Sequence, residues 1–406
     1  MIYNSERGIP MLIYADNAAT TKMSNTAIEA MLPYMDKIYA NPSSLHTLGQ
    51  QAKEELDAAR ESVARLLGAQ PNEIIFTSGG SEADNQAIIS AAKFGERKGK
   101  KHIISTAFEH HAVLHTLEKL KKQGFEITLL DVHENGLVTP QQVADAIRED
   151  TCLVTIMFAN NEIGTIQPIK EIGAVCRQKG VLFHTDAVQA AGHLHIDVAD
   201  MNIDMLSLSG HKFHGPKGVG VLYAKKGIPL VNIIEGGAQE KGKRAGTENI
   251  PAIMGMTAAL EEACANMADN SAKVQKLRDK LIDGLLSIPH SVLNGDKESR
   301  LPNNVNFCFE GIEGEALLLL LDAKGVCASS GSACTSGSLD PSHVLLAIGR
   351  PHEIAHGSLR LSLCEENTEE EVDYIINAVT QVVSYLRSIS PVWRNLTEGK
   401  QEFVIK

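Results

Sequence analysis

Glu73-Ile-Ile-Phe-Thr-Ser-Gly-Gly-Ser-Glu-Ala-Asp-Asn85 is the stretch on which the fold turns. Ile74 to Thr77 is a short apolar run of strand type, and Ala83 to Ala92 has helical spacing. Between them Gly79-Gly80-Ser81-Glu82 makes a turn with little side-chain bulk. Free backbone N–H groups and a hydroxyl at a helix N-terminus make a seat for a phosphate. Ordinary α/β joinery uses the same parts, so this turn alone leaves both readings open.

Working outward, similar runs rich in Ile, Val and Leu recur at Glu73 to Thr77, His102 to Ser105, Glu126 to Leu130, Leu153 to Phe158, Val181 to His184, Met205 to Leu208 and Gly218 to Tyr223. Helical periodicity separates most of them. Ala52 to Leu67 sets Leu56, Ala59, Val63 and Leu66 on one face and stops at Gly68, and Thr139-Pro140 opens another helix with an N-cap and a first-turn proline. Alternating strand and helix predicts an α/β fold with a mostly parallel, seven-stranded sheet. Such sheets bind ligands beyond the carboxyl ends of their strands, so polar residues just after each run are candidate site residues.

After about Leu260 the pattern changes to long helices, Ala272 to Leu286 and Thr368 to Leu386, with a strand-like Ser358 to Leu363 between. The expected division is a large domain over 12–260 and a smaller α+β domain over 261–390, which the N-terminal segment 1–20 joins. Thr368 with Glu371 signals a helix start, and Leu317 to Leu321 predicts a buried helix. The small-residue stretch 328–338 predicts a mobile loop. The first ten residues and the tail after Ser390 are expected to have no core role.

With 406 residues and 43% hydrophobic content the chain is long enough to bury a deep site. A net charge of -12 argues against a nucleic-acid partner. Seven cysteines without paired spacing, and no cationic start followed by an apolar stretch, predict a reducing compartment, the cytoplasm. No apolar run approaches the roughly 18 to 20 residues of a membrane span.

Two further strand ends carry chemistry. In Ser209-Gly-His-Lys212-Phe-His-Gly-Pro-Lys-Gly218 a lysine follows directly on an apolar run. Burial there would lower its pKa and free the amine for covalent attachment to an aldehyde such as that of pyridoxal phosphate, whereas a solvated loop lysine is the plain alternative and suits Lys217. Asp186 ends the run Val181 to Thr185, with Gln189 one turn on. It suits a pyridine nitrogen, which an adjacent anion keeps protonated, and it equally suits a helix N-cap.

Phosphate seat, aspartate and lysine at three strand ends are joined by Tyr14-Ala-Asp-Asn-Ala-Ala-Thr-Thr21, Asn41-Pro-Ser-Ser-Leu-His46, Glu109-His110, Asn160-Asn-Glu-Ile-Gly164, Arg244-Ala-Gly-Thr-Glu-Asn249 and the loop around Cys334. From about Leu12 to Leu386 the chain resembles the cysteine desulfurases of the NifS and IscS type, class V aminotransferases within the fold-type I pyridoxal 5'-phosphate enzymes. The resemblance implies a transferase that converts L-cysteine to L-alanine and leaves the sulfur as a persulfide on Cys334, for iron–sulfur cluster assembly or other sulfur trafficking. It implies that Lys212 holds the cofactor, Asp186 pairs with the ring nitrogen, Gln189 reaches the phenolic oxygen, and His110 stacks on the ring and shuttles protons. Ser81, Ser209 and His211 would hold the phosphate with a backbone contact from Gly80, and Thr247 would arrive from the other subunit of a homodimer. Asn161 and Arg360 would bind substrate, Arg360 as a bidentate clamp on the carboxylate.

Thiolate chemistry needs access and a favourable pKa, which the loop suits at Cys334. Cys152, Cys176 and Cys264 sit in strand or helix patterns that suit inert packing, while Cys308 and Cys364 are ambiguous. Cys327, a departure from the family pattern, reads as a packing residue or a second sulfur carrier, and Ser81 stands where relatives often have Thr. Met11 lies just before the resemblance begins, so a start at Met1 or at Met11 is open. The alternative activity is a selenocysteine lyase or another pyridoxal-phosphate enzyme of the same fold. The 15 histidines, His111 and His115 among them, invite a metal reading that no His-Glu-x-x-His or Cys-x-x-Cys spacing supports, so no metal is expected. The sulfur acceptor is not legible.

Overall fold

The computed structural model describes residues 12–330 and 341–405. Its central sheet has seven strands in the spatial order Ile74–Thr77, Gly220–Ala224, Met205–Ser209, Leu182–Asp186, Thr151–Thr155, His102–Thr106 and Glu126–Leu130. Gly220–Ala224 runs antiparallel to both neighbours, and the remaining pairings are parallel. Length explains the exception. The connection 210–219 is too short for a helical crossover, so the chain must turn back beside the strand it has left. Lys212 lies in that connection, in the 3-10 turn Gly210–Lys212.

The inner strands are buried along almost their whole length, Leu182 alone among them being half-buried, as helices on both faces of a parallel sheet require. Thr47–Leu67 buries Ala52, Leu56, Ala59, Val63, Ala64 and Leu67, and Gly68 ends it at φ 69°. The buried stripe therefore passes through Leu67, and the expected Leu66 is only half-buried, because one residue turns the helix by about 100°. Gly220 allows the closest backbone approach near the glycine turn. A Cβ there would stand 2.5 Å from the Leu208 carbonyl oxygen and 2.7 Å from Gly79 Cα.

A second apolar core surrounds the antiparallel strands Ser358–Ser362, Asn304–Phe309 and Ser291–Leu293 and the helices Met267–Leu286, Gly314–Asp322 and Glu369–Ile389. Ile13 and Ala15 enter it from the start of the described chain, and Ile13–Tyr14 pairs in parallel with Val326–Cys327. Val344, Leu345 and Ile354 instead join the core of the central sheet. Within Gly314–Asp322, Leu317 and Leu321 are buried whereas Leu319 is 72% exposed, so the leucine run forms a one-sided helix rather than a wholly buried one.

The tail after Ser390 does pack, contrary to the expectation from sequence. Pro391–Thr397 is helical with Ser390 as its N-cap, Leu396 and Ile405 are buried, and Phe403 stacks on His290. The Glu310 carboxylate accepts from the N–H groups of Val404 at 2.8 Å and Ile405 at 2.9 Å. These anchors lie far away in sequence, so no local pattern announces them.

Candidate active site

The glycine turn delivers a strand end to a helix start. Gly79 has φ 152°, and Gly80–Glu96 begins without a side-chain cap, which leaves first-turn N–H groups without intrahelical partners. The Glu82 carboxylate accepts from Ser78 N–H at 2.8 Å and from Arg244 Nε at 2.9 Å, fixing the turn against the 244–249 loop. Arg60 braces the turn just before that loop. It binds Glu240 through both terminal nitrogens at 2.7 and 2.6 Å, and Glu240 also accepts from Phe76 N–H, one residue before the strand ends.

Beside this turn is a cavity of about 250 Å³. Gly80 and Ser81 line it from the helix start, Asp186, Val188 and Gln189 from the end of Leu182–Asp186, and Ser209, His211 and Lys212 from the end of Met205–Ser209. His110, Asn161 and Arg360 complete the wall. A larger cavity of about 910 Å³ lies by the C-terminal tail, among Glu310, His352 and Val404, and contains none of the predicted site residues.

Each polar group is held from behind. Lys212 Nζ donates to the carbonyls of Ala18 at 2.6 Å and Ala19 at 2.8 Å, and Gln189 Nε2 donates to Ala18 O at 2.9 Å. Asp186 Oδ1 accepts from Val188 N–H at 2.9 Å, while burial pushes its carboxyl pKa up. A charge at Asp186 therefore calls for a cationic partner, as a protonated ring nitrogen would be. His110 caps the helix His111–Lys122, its Nδ1 accepting from Ala112 N–H at 3.1 Å, so the proton of the neutral ring resides on Nε2. Burial pushes the His110 pKa down, and Asp186 only partly restores it. Glu109 behind it is fully buried, accepts from Thr106 Oγ1 at 2.7 Å and from Met157 N–H, and has its carboxyl pushed up to about 8 by burial.

A class-V aminotransferase family model matches residues 13–375. A cysteine desulfurase IscS of Clostridium botulinum is 53% identical over 96% of this chain and 99% of its own length. Another, of Methanosarcina thermophila, is 56% identical over 94% of each chain. The solved structure of a NifS-like protein superposes with a TM-score of 0.87 at 39% identity, over 93% of this chain and all of its own. The chain belongs to the cysteine desulfurases of the class-V aminotransferase family. The fold of these desulfurases is that of the fold-type I pyridoxal-phosphate transferases, and the central seven-stranded sheet agrees with it.

Of the residues that the desulfurase resemblance singled out, Gly80, Ser81, His110, Asn161, Asp186, Gln189, Ser209, His211, Lys212 and Arg360 share one cavity. Thr247 does not. It is exposed and lines a separate hollow with Ser78, Gly218 and Arg244. Cys334 lies outside the described residues. Sequence reasoning missed Asp84, Met157 and Val188 in the wall, and missed that Ala18 and Ala19 act through carbonyls. Only the motif Tyr14 to Thr21 hinted at the last, since alanines offer no side-chain chemistry to notice. Among the described residues no group of three or more His, Cys, Asp or Glu side chains is arranged to hold a metal.

Next to Lys212, His214 ties this turn to the end of Ser358–Ser362. Its Nδ1 donates to the Lys22 carbonyl at 2.9 Å and its Nε2 stands 3.5 Å from Glu365 Oε1. Burial lowers the His214 pKa, but the Glu365 carboxylate, helped by Glu366, outweighs it and raises the pKa above 6.5; His214 in turn holds Glu365 at about 2. The stabilisation from the histidine is present below 6.5 and lost as pH rises through its raised pKa, while that from the carboxylate is present above 4.5 and lost as pH falls toward 2. Thermal unfolding should therefore show His214→Gln least stable relative to the parent between pH 4.5 and 6.5. The gap should be under about 1 kcal/mol, since Glu365 is partly solvated, and should close at higher pH.

Proposed function

We propose that this protein converts L-cysteine to L-alanine at the 250 Å³ cavity and carries the released sulfur as a persulfide on Cys334. The observation that carries this reading is the convergence of a helix start, a buried carboxylate, a lysine amine and a buried arginine on one small space. The residues fit pyridoxal 5'-phosphate. The glycine turn offers unpaired N–H groups for its phosphate with Ser81, Ser209 and His211, Asp186 would face the ring nitrogen, Gln189 the phenolic oxygen, and His110 the ring. A Cβ on Gly80 would stand 2.6 Å from Val188 Cγ2, so the seat admits no bulk at that turn.

When bound, the cofactor supplies an electron sink for the substrate's α-carbon. Lys212 would hold it covalently, leaving the carbonyls of Ala18 and Ala19, and once released its amine would take the α-proton. His110 would carry a proton on Nε2 at the ring face. Arg360 and Asn161 would fix the substrate carboxylate. The described chain on either side of Cys334 is anchored on Arg360 of the cavity wall and on Glu162 and Glu109, the chain neighbours of the wall residues Asn161 and His110, which supports its role as nucleophile. Ser329 and Arg360 exchange backbone hydrogen bonds at 3.2 and 2.6 Å, Ser342 Oγ bonds Glu162, and His343 Nε2 bonds the Glu109 carbonyl at 2.9 Å.

The test is incubation of purified protein with L-cysteine, scoring L-alanine and enzyme-bound sulfur in equal amounts. Release of pyruvate or transamination products instead would rule the reading out. Relatives bearing the desulfurase name favour it over a selenocysteine lyase, and comparing selenide with sulfide release would separate the two.

The same reading extends to a homodimer in which Thr247 completes the partner's phosphate seat. Supporting it are the exposure of Thr247 outside the cavity and the exposed apolar side chains of Leu32, Met35, Tyr39 and Leu45, the last 93% exposed. Sedimentation should give a dimer at assay concentration, and an active monomer would refute the shared site. A sulfur-acceptor protein, an iron–sulfur scaffold or another, would take the persulfide in a reducing compartment such as the cytoplasm. Among the described residues no helix is long and apolar enough to cross a membrane.

A further inference from the structure

Arg360 sits in the middle of Ser358–Ser362 with 2% of its side chain exposed. Its Nη1 donates to the Asn161 carbonyl at 3.0 Å and its Nη2 to Asp16 Oδ1 at 2.9 Å, whereas its Nε is buried without a partner. A guanidinium is a rigid fork of five N–H donors, so these two contacts leave donors of the fork, Nε–H among them, unused. Such a fork matches the two oxygens of a carboxylate. Asp16 is not part of the cavity wall and keeps 21% of its side chain exposed, so it reaches Arg360 from outside the cavity. Its backbone is stitched to the arginine's own strand. Asp16 bridges Ser362, Ser362 N–H donates to Ala15 O at 2.7 Å, and Asn17 N–H donates to Ser362 O at 3.2 Å.

We propose that Asp16 is a positioning residue for the substrate carboxylate, neutralising and orienting the Arg360 guanidinium in the cavity wall. The proposal rests on the reading of Arg360 as the substrate clamp. A buried guanidinium without a counter-ion is strongly unfavourable and would seek another anion or turn toward water. The Asp16 pair satisfies that charge without occupying the cavity, and the two backbone-anchored contacts fix the plane of the fork. A carboxylate then arrives at a guanidinium whose charge and plane are already set.

The experiment compares equilibrium binding of L-alanine and of cysteamine, an amine without a carboxylate, to the cofactor-loaded enzyme. Binding is followed by calorimetry in the parent, Asp16→Ala, Asp16→Asn and Arg360→Ala. Asp16→Ala should weaken L-alanine roughly ten- to a hundredfold, the scale of a hydrogen bond to a charged group, and leave cysteamine unchanged. Asp16→Asn, which keeps an oxygen for Nη2 and the size of the side chain, should show a smaller loss with the same selectivity, and it carries the test should the alanine variant not fold. Equal weakening of both ligands would make Asp16 merely structural and overturn the proposal. So would unchanged L-alanine binding in both Asp16 variants while Arg360→Ala loses it, an outcome that leaves the Arg360 reading standing. Parent-like L-alanine binding in Arg360→Ala would overturn that reading and this proposal together.

Discussion

Cys334→Ser is expected to keep its bound cofactor and to shift its visible spectrum when L-cysteine is added, yet to form no persulfide. L-Alanine release should fall by at least about a thousandfold, the scale on which loss of a nucleophile registers in mutant kinetics. In the proposed step the Cys334 thiolate attacks the substrate sulfur and forms the S–S bond. The substrate C–S bond breaks with its electron pair left on carbon, which takes up a proton to become the methyl group of L-alanine. Thiol and cysteine thus become persulfide and alanine with no external oxidant. A serine hydroxyl at neutral pH is a far poorer nucleophile toward sulfur, and Lys212, Asp186 and Arg360 are untouched by the substitution. Cys327→Ser is the control. Cys327 lies in the two-residue strand Val326–Cys327 against Ile13–Tyr14, and burial raises its thiol pKa, which lowers its thiolate fraction. Its variant should make alanine at close to the parent rate. Mass spectrometry after brief exposure to L-cysteine checks both: sulfur appearing first on Cys327, or near-normal turnover by Cys334→Ser, would overturn the assignment.

Lys212→Ala should be the second severe variant. Borohydride reduction of the parent should fix the cofactor to the peptide containing Lys212, and peptide mapping of the variant should find no such attachment. Turnover should fall by at least about a thousandfold, since both the covalent hold and the base at the α-carbon are removed. Lys217, exposed beyond Pro216, is the internal comparison. An adduct on Lys217 in the parent, or an active Lys212→Ala protein, would move the site. The variant should still fold, because Lys212 contributes hydrogen bonds to Ala18 and Ala19 but no buried apolar side chain to the core.

The two substitutions differ in how far sequence alone could justify them. Lys212, Asp186 and Gly80 are legible because each lies at or just after the end of an apolar run, and a parallel sheet exposes the carboxyl ends of its strands at one edge. Arg360 was harder. Taken alone it is one more arginine, and only the family resemblance gave it a partner. Asp16 belongs to the motif Tyr14 to Thr21, 344 residues from Arg360, and no local pattern ties the two together. Leu66 and the leucine run 317–321 were misjudged for a simpler reason: a helix tells one face from another by a single residue, and what covers each face is decided by neighbours far along the chain.

By itself the sequence determined the alternation of strand and helix, the glycine turn, the lysine and aspartate at strand ends, and the membership of a family, because these follow from local periodicity and from the order of short motifs. Tertiary structure alone decided that Gly220–Ala224 turns back antiparallel, that Ile13 packs beside Val326, that the tail after Ser390 docks on Glu310, and that Asp16 grips Arg360. Each of these is a pairing of backbone or charged groups between distant segments. A hydrogen bond or an ion pair needs only a donor and an acceptor a few ångströms apart, and no periodicity in either segment says which of many possible partners the fold will bring within that reach.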